Sequence, residues 1–243
     1  MSLSVAKLTL GNLFPHSNQA TKEGIVAFGG DLSSSRLMSA YKKGIFPWYS
    51  EGDPIIWWSP NPRLVLDFSD FKLRRSLKKR IKHFTYSFDT KFLDVIASCA
   101  GTKRKEQDGT WILPEVVEAY NVLHGMGHAH SVEAYQDGKL VGGAYGVVVG
   151  SVFCGESMFA HASDASKAAF TILVKHLEYW GYDFIDCQIP TKHLKSLGAK
   201  EVSRDSFLMR MDKSADKHLD HNWQIEGVVI NNIYNKRRSD ENI

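Results

Sequence analysis

The sequence predicts an α+β fold, in which a mixed β-sheet carries flanking helices. The main observation is a run of three short β segments, then a helix and one more apolar strand, between residues 131 and 188. The segments lie around His130–Tyr135, Lys139–Val148 and Ser151–Met158. Gly138 and Gly150 provide the positive backbone angles that tight hairpin turns need. We therefore expect three antiparallel strands in sequence order.

The helix after these strands is predicted from the spacing of its apolar residues. Small and apolar residues recur at three- and four-residue steps between Ala165 and Trp180. Ser163 is a candidate N-cap, Gly181 is the expected stop, and the strand Tyr182–Cys187 follows. Antiparallel strands, one helix and a returning strand together resemble the core of the GNAT acyltransferase fold.

The chain is expected to contain three parts. Residues 1–62 form a small N-terminal domain with a short helix, Ser34–Lys43, and residues 63–212 form a GNAT-like domain. Glu201–Met211 is predicted to be the last strand, and residues 213–243 form a polar tail of largely irregular structure. Trp48, Trp57 and Trp58 lie in a stretch rich in Pro and Gly. They either fill a small core without regular layers, which we favour for Trp57 and Trp58, or form a stacking surface for a ring or base.

Composition restricts the class of protein. The chain has 243 residues, 43% of them hydrophobic, and a net charge of only +3, so attraction to nucleic acid requires local clusters of basic residues. Its three cysteines lack zinc-site spacing, and no Walker loop is present. The N-terminus lacks a signal-peptide pattern, and four glycines interrupt the longest apolar run. We expect a cytoplasmic protein without a membrane span, metal or cofactor.

A basic segment follows the strand predicted over residues 63–69. It reads DFKLRRSLKKRIKHF and is predicted to be one helix, with Ser69 as a candidate cap. Its basic side chains have no acidic neighbours within the segment beyond Asp70, so they either form a solvated face or bind phosphates, which we favour slightly. The candidate phosphate ligands are Arg74, Arg75, Lys78, Lys79 and Arg80. A second small basic cluster occupies residues 103–105.

Polar side chains end two of the predicted central strands. Glu156 lies in GESMF, and Asp186 and Gln188 lie in DCQ. Asp186 and Gln188 are two residues apart, which places them on one face of a regular strand. A structural interpretation remains open for each, since Asp186 is also a candidate cap for the next turn, and Glu156 a partner for buried backbone groups.

Motifs across most of the chain resemble the bacterial leucyl/phenylalanyl-tRNA–protein transferases. They are FGGDL, AYKKGIFPWY, IWWSPNPR, GTWI, HAHSVE, LVGGAYG, GESMF, ASKAAF, IDCQ and HLKSLGA, in this order between about Leu13 and Met211. The resemblance implies an enzyme that moves Leu or Phe, with Met as a further candidate, from aminoacyl-tRNA to proteins with N-terminal Lys or Arg. The products are marked for proteolysis. We expect a monomer that uses no cofactor and does not bind membranes.

The resemblance also implies roles for individual residues. Asp186 serves as base or hydrogen-bond acceptor for the attacking amine, Gln188 orients the amine or the ester carbonyl, and Glu156 recognises the cationic acceptor. Trp48 and Trp111 stack on the terminal adenosine of the tRNA, and the basic helix carries the acceptor stem. Beside the catalytic positions, the candidates to line an apolar pocket for the transferred side chain are Phe153, Met158 and Ile185.

Two alternative functions belong to other classes. A CoA-dependent N-acetyltransferase shares the predicted fold, but MFAHASDASK has no glycine at the turn where such enzymes hold the CoA pyrophosphate. A non-catalytic tRNA-binding protein needs the basic helix but not Glu156, Asp186 and Gln188. The presence of all three residues favours an enzyme.

Overall fold

The computed structural model describes residues 5–9, 11, 13–102 and 110–235. Within them the strands are β1 (Ala6–Leu8), β2 (Ile25–Gly29), β3 (Phe46–Pro47), β4 (Ile56–Trp58), β5 (Arg63–Leu66), β6 (Thr85–Phe88), β7 (Ala129–Gln136), β8 (Lys139–Val149), β9 (Val152–Ala160), β10 (Phe184–Gln188) and β11 (Lys200–Val202). The helices are α1 (Ser34–Lys42), α2 (Arg75–Ile81), α3 (Phe92–Ala100), α4 (Pro114–Gly125), α5 (Ala165–Tyr179), α6 (Lys192–Ser196), α7 (Arg204–Ser214) and α8 (Gly227–Asn235). The predicted basic cluster at residues 103–105 lies outside the described residues.

The larger sheet contains seven strands in the order β11-β5-β10-β9-β8-β7-β6. Strands β9 and β10 are parallel, and every other neighbouring pair in this sheet is antiparallel. Side chains alternate along the strands, so α5 packs on one face, while α3 and α4 pack on the other. The predicted α+β fold is confirmed, with three antiparallel strands, a helix and a returning strand in the expected order.

The N-terminal part of the chain forms its own small sheet. Four strands are ordered β1-β2-β4-β3, and α1 connects β2 to β3. Trp57 on β4 is fully buried, contacts the ring of Phe14, and donates from Nε1 to the Gly29 carbonyl at 2.8 Å. The interpretation of Trp57 as a core residue is therefore confirmed. The expectation that this part lacks a regular layer is wrong, since it contains this four-stranded sheet. The sheet was not predicted because its strands are too short to show alternating apolar and polar residues in the sequence.

The basic segment is less helical than predicted. A 3-10 turn at Phe68–Asp70 and extended residues precede α2, so Ser69 does not cap a long helix. The backbone N–H of Lys72 donates to the Leu197 carbonyl at 2.8 Å, and Lys200 pairs with Asp70 at 2.6 Å. These long-range contacts hold the chain at Asp70 and Lys72 outside the helix and outweigh its local helix propensity.

Two C-terminal predictions and one cap are wrong. The strand expected over Glu201–Met211 is short, and α7 follows it, because the Ser203 side chain accepts from the N–H of Ser206 and caps the helix. The tail is not irregular up to residue 235: α8 buries Val229 and Ile233, one helical turn apart. At α5, the residue before the first turn is Asp164 in a left-handed conformation, not Ser163. No helix among the described residues is long and apolar enough to cross a membrane.

The hairpin turns provide a matched pair of substitutions. Gly138 and Gly150 both have positive φ angles, +74° and +57°, but only open space surrounds Gly138, whereas a Cβ at Gly150 would lie 1.9 Å from the Ser214 carbonyl oxygen. We expect Gly138→Ala to lower the free energy of unfolding by about 1–2 kcal/mol because of the left-handed backbone. Gly150→Ala should cost a further ~1–3 kcal/mol for the overlap with α7. Urea unfolding of both variants measures the difference, and equal losses would contradict this packing.

Candidate active site

A cavity opens where β9 and β10 separate. The two strands pair in parallel as far as Cys154 and Asp186, and beyond this point the cavity of about 700 Å³ lies between them and α5. Apolar residues form most of its wall, including Phe153, Met158, Phe170, Leu173 and Ile185. Polar residues lie among them, including Glu156, Gln188, Thr191 and His193. An apolar chamber with a few convergent polar groups is typical of a small-molecule site.

Glu156 is the centre of the polar group. Its Oε1 accepts hydrogen bonds from the Tyr41 hydroxyl and from Gln188 Nε2, each at 2.7 Å. Its Oε2 accepts from the Tyr120 hydroxyl at 3.2 Å, and the two tyrosine hydroxyls bond to each other. Helices α1 and α4 thus supply one tyrosine each, so the carboxylate is fixed from three separate elements.

Removal from bulk water shifts the pKa of Glu156. It raises the pKa of Glu156 from 4.5 to about 7, although the bonds from Tyr41, Gln188 and Tyr120 oppose the shift; the charge of Asp186 adds to it. The same removal, with the nearby Glu156 charge, holds the pKa of Tyr41 and of Tyr120 well above the ordinary tyrosine value. Both tyrosines therefore remain hydrogen-bond donors while Glu156 changes charge near neutral pH.

Gln188 is held in an unusual backbone conformation. Its φ angle is +58°, and the pairing of β10 with β5 shifts register between Asp186 and Gln188. The backbone N–H of Gln188 donates to Asp186 Oδ1 at 2.9 Å, which stabilises the bulge. Strained backbone of this kind costs about 1–3 kcal/mol and is common at functional sites. The bulge turns the Gln188 side chain toward Glu156.

Asp186 has different surroundings from Gln188, so the expectation that a regular strand gives both side chains one environment is wrong. Only 1% of the Asp186 side chain is exposed, and Arg63 Nε and Nη2 donate to its two oxygens at 2.8 and 2.6 Å. Arg63 also donates to the Gly44 carbonyl and lies between the rings of Phe46 and Phe207. Asp186 thus lies behind the cavity wall with both oxygens engaged, which does not suit direct proton abstraction from a substrate.

Comparison with known proteins identifies the family. The leucyl/phenylalanyl-tRNA protein transferase model matches residues 65–212, and the model of that family's N-terminal domain matches residues 30–61. The chain belongs to this family. The resemblance seen in the sequence is therefore confirmed.

Relatives named leucyl/phenylalanyl-tRNA–protein transferase are similar over most of their length. The protein of Sulfurimonas denitrificans is 62% identical over 212 residues, which is 87% of this chain and 93% of that protein. The protein of Desulfatibacillum aliphaticivorans is 52% identical over 88% of this chain and 93% of its own. A solved GCN5-related N-acetyltransferase from Kribbella flavida aligns with 68% of this chain and 59% of its own, at 11% identity and a TM-score of 0.33. Such weak likeness adds nothing to the family assignment.

The five residues predicted to contact substrate come together in this transferase-family chain. Phe153, Met158 and Ile185 all line the cavity, and so do Trp48 and Trp111. Trp48 is partly exposed and packs against Trp58, with ring centroids 5.5 Å apart, whereas Trp111 is 9% exposed. One chamber therefore joins an apolar interior to two tryptophans and to the Glu156–Gln188 pair.

The predicted phosphate ligands lie beside a second depression. Arg74, Arg75 and Lys79 are exposed at α2, while Lys78 and Arg80 are partly buried. Arg80 donates to the Ser163 carbonyl at 3.1 Å. Ser163 lines an open depression of about 530 Å³ that shares Met158 and His193 with the main cavity. The basic surface of this family member thus approaches the cavity along the start of α5.

Three polar residues at the site were not predicted. Arg63 and Tyr41 lie within two of the motifs that carry the family resemblance, IWWSPNPR and AYKKGIFPWY, so their positions offered a signal. Tyr120 lies in a helix whose sequence suggests only an amphipathic surface. All three act through partners 36 to 123 residues away, a distance over which sequence spacing carries no information.

The pKa of Glu156 predicts a pH-dependent stability. Folding raises the pKa of Glu156 from 4.5 to about 7, so between these pH values the folded protein binds more protons than the unfolded chain. The resulting stabilisation is fully present below pH 4.5 and is lost as the pH rises through 7. The loss is up to about 3 kcal/mol, and less where water in the cavity screens the carboxylate. We expect Glu156→Gln to gain stability relative to wild type between about pH 5 and about pH 8, by urea unfolding.

The matched control is Glu118→Gln, whose exposed carboxylate lies on the same helix as Tyr120. Its stability should follow that of the wild type over the same interval. If Glu156→Gln also follows the wild type, folding does not raise the pKa of Glu156.

Proposed function

We propose that this protein transfers Leu or Phe from aminoacyl-tRNA to the N-terminal amine of acceptor proteins that begin with Lys or Arg, marking them for proteolysis. Membership of the family supports aminoacyl transfer from tRNA to protein. The observation that carries the finer assignment is the single cavity that joins an apolar chamber, two tryptophans and the Glu156–Gln188 pair. In this proposal the enzyme works as a cytoplasmic monomer without a cofactor.

The reaction is aminolysis of an ester. The acceptor amine forms a C–N bond with the aminoacyl carbonyl carbon, the bond from that carbon to the ribose oxygen breaks, and the proton lost by the nitrogen ends on the ribose oxygen. Ester to amide is downhill, so no nucleotide hydrolysis is required. Holding the amine against the ester in near-attack geometry is worth about 7–11 kcal/mol, which makes positioning the main task of the site.

Glu156 and Gln188 are the residues that meet the amine in this proposal. Gln188 Nε2 already donates to Glu156, which leaves the amide oxygen of Gln188 as an acceptor for the incoming ammonium. The raised pKa of Glu156 suits a group that receives a proton near neutral pH, and its charged form attracts the cationic acceptor. A single well-placed acid–base group of this kind contributes about 10²–10⁴-fold.

Asp186 acts through Gln188 in this proposal. Its carboxylate is engaged by Arg63 and by the backbone N–H of Gln188, so it fixes the bulge that turns the Gln188 side chain into the cavity. The proposal therefore keeps Asp186 essential but changes its role from proton acceptor to positioning residue. Arg63 shares that role, since it satisfies the buried charge.

The apolar chamber accepts the side chain of the transferred amino acid. Phe153, Met158 and Ile185 supply its surface, and flexible Met158 adapts to both the branched Leu and the planar Phe. Trp48 and Trp111 stack on the terminal adenosine at the other part of the cavity. Stacking of a base on an aromatic side chain is worth about 1–3 kcal/mol and requires no sequence readout.

The alternative of CoA-dependent acetyl transfer is disfavoured by the start of α5. A pyrophosphate at this helix needs exposed backbone N–H groups and no competing negative charge. Here Asp164 occupies the position before the first turn and pairs with Lys167 at 2.9 Å. The alternative of a non-catalytic tRNA-binding protein is also disfavoured. Binding tRNA alone does not require a carboxylate held in the cavity by Tyr41, Tyr120 and Gln188.

A transfer assay tests the proposed activity. Purified protein is incubated with radiolabelled Leu-tRNA and a peptide with N-terminal Arg; a peptide with N-terminal Ser, and acetyl-CoA as donor, are parallel controls. We expect label on the Arg peptide alone, and a fall of about 10²-fold or more in kcat/KM for Glu156→Gln, since that variant lacks both charge and base. Acetyl transfer, or tRNA binding without aminoacyl transfer, would replace this function with one of the alternatives.

The basic residues at α2 hold the phosphates of the tRNA acceptor stem in this proposal. Such contacts read no sequence, so the enzyme distinguishes tRNAs by the amino acid and the 3′ end. Arg80 contributes less than its neighbours, since it is committed to Ser163 and lies 3.9 Å from Asp164. The exposed Arg74 and Lys79 are the best candidates for direct contact.

Salt dependence measures how many phosphates these residues bind. We expect Arg74→Ala/Lys79→Ala to weaken tRNA binding and to reduce the slope of log affinity against log salt by about 1 for each phosphate that the variant no longer binds. The matched control is Lys22→Ala/Lys43→Ala, which removes two exposed charges from the N-terminal part of the chain. A filter-binding titration that gives both double variants one slope would remove α2 from the tRNA site.

A further inference from the structure

We infer that Trp223, in the tail, sets the depth of the amino-acid chamber by supporting the ring of Phe153, and so determines the preference between Leu and Phe. The inference rests on the proposed function, because it assigns the chamber to the transferred side chain. Trp223 lies beyond residue 212, where the matched family region ends. It is a positioning residue, since it acts through Phe153.

Aromatic neighbours fix the Trp223 ring. It stacks on His130 with a centroid distance of 3.9 Å and an angle of 9° between planes. Trp180 and Phe88 contact it from other directions at 5.2 and 5.6 Å. Offset and edge-to-face arrangements of this kind favour one orientation of the indole. Trp223 is therefore a partly buried side chain that packs in one orientation against the core.

The backbone of the tail is fixed as well. The N–H of Glu226 donates to His176 Nε2 at 3.0 Å, and the other ring nitrogen of His176 bonds to the Ile172 carbonyl at 2.7 Å. Three residues further on, Val229 begins the buried face of α8. Before Trp223, the ring of His221 stacks on Trp180 with a centroid distance of 4.3 Å, so Trp223 is held between two anchored segments.

Phe153 connects Trp223 to the chamber. Its ring lines the cavity, is 1% exposed, and lies 6.2 Å from the ring of Trp223 at an angle of 44°. The ring also packs directly on Gly146, where an added Cβ would lie 2.5 Å from it. With Gly146 and Trp223 in place, the ring has little freedom to move away from the chamber.

The consequence is a size limit at the inner end of the chamber. Removing the indole leaves an empty space beside Phe153, into which its ring can relax. The chamber then becomes deeper, so that Leu no longer reaches its inner wall while the longer Phe still does. One methylene in an apolar pocket changes kcat/KM by about 10–200-fold. A comparable movement of the Phe153 ring should therefore produce a measurable change in kcat/KM.

The test compares Leu-tRNA and Phe-tRNA as donors, with one N-terminal Arg peptide as acceptor. We expect the kcat/KM ratio of Phe to Leu to rise about tenfold in Trp223→Ala. Trp223→Phe, which keeps an aromatic ring and folds more readily, should stay within about threefold of wild type. In a Phe153→Leu background, Trp223→Ala should change the ratio little, because the two residues act in series.

Ile233→Ala is the matched control, since it removes buried apolar surface from the same tail. It should lower the melting temperature without changing the Phe to Leu ratio. An unchanged Phe to Leu ratio in Trp223→Ala, or an equal change of that ratio in Ile233→Ala, overturns the inference. In either case, transfer of both amino acids by the wild-type protein still upholds the proposed function. A wild-type protein that transfers neither overturns the proposed function itself.

Discussion

The buried ion pair of Arg63 and Asp186 is the interaction on which the rest of the site depends. Both side chains are 1% exposed, and two short hydrogen bonds join them. Breaking such a pair by removing one partner typically costs about 3–5 kcal/mol, because an unpaired charge remains buried. The guanidinium also binds the Gly44 carbonyl and lies between Phe46 and Phe207. One residue therefore ties the N-terminal sheet, the central strands and α7 together.

From this pair a continuous series of contacts leads to the cavity and back. Asp186 fixes the backbone of Gln188, the Gln188 side chain donates to Glu156, and Glu156 accepts from Tyr41 on α1. Tyr41 returns the series to the N-terminal part of the chain, only three residues before Gly44. The polar groups at the cavity are thus held by the larger sheet and by α1 at once, which suits the positioning role proposed for them.

Long periodic elements could be predicted from the sequence, while features that depend on distant partners could not. The hairpins of β7, β8 and β9 and the body of α5 follow from alternation and helical spacing. The basic segment is the opposite case, since its contact with Leu197 overrides local propensity. The site divides in the same way. The family motifs predicted which residues line the cavity. They did not predict that Asp186 and Gln188 have different surroundings, because this depends on a bulge that a regular strand does not contain.

The long separation between partners has a consequence for synthesis on the ribosome. Arg63 and Asp186 are 123 residues apart, and Tyr41 and Glu156 are 115 apart. Closing loops of this length is slow, so folding of the site waits for contacts that form late. A nascent chain that has not yet emerged as far as Gln188 lacks Asp186 and one of the three donors to Glu156. The polar arrangement at the cavity is therefore completed only once β10 has left the ribosome.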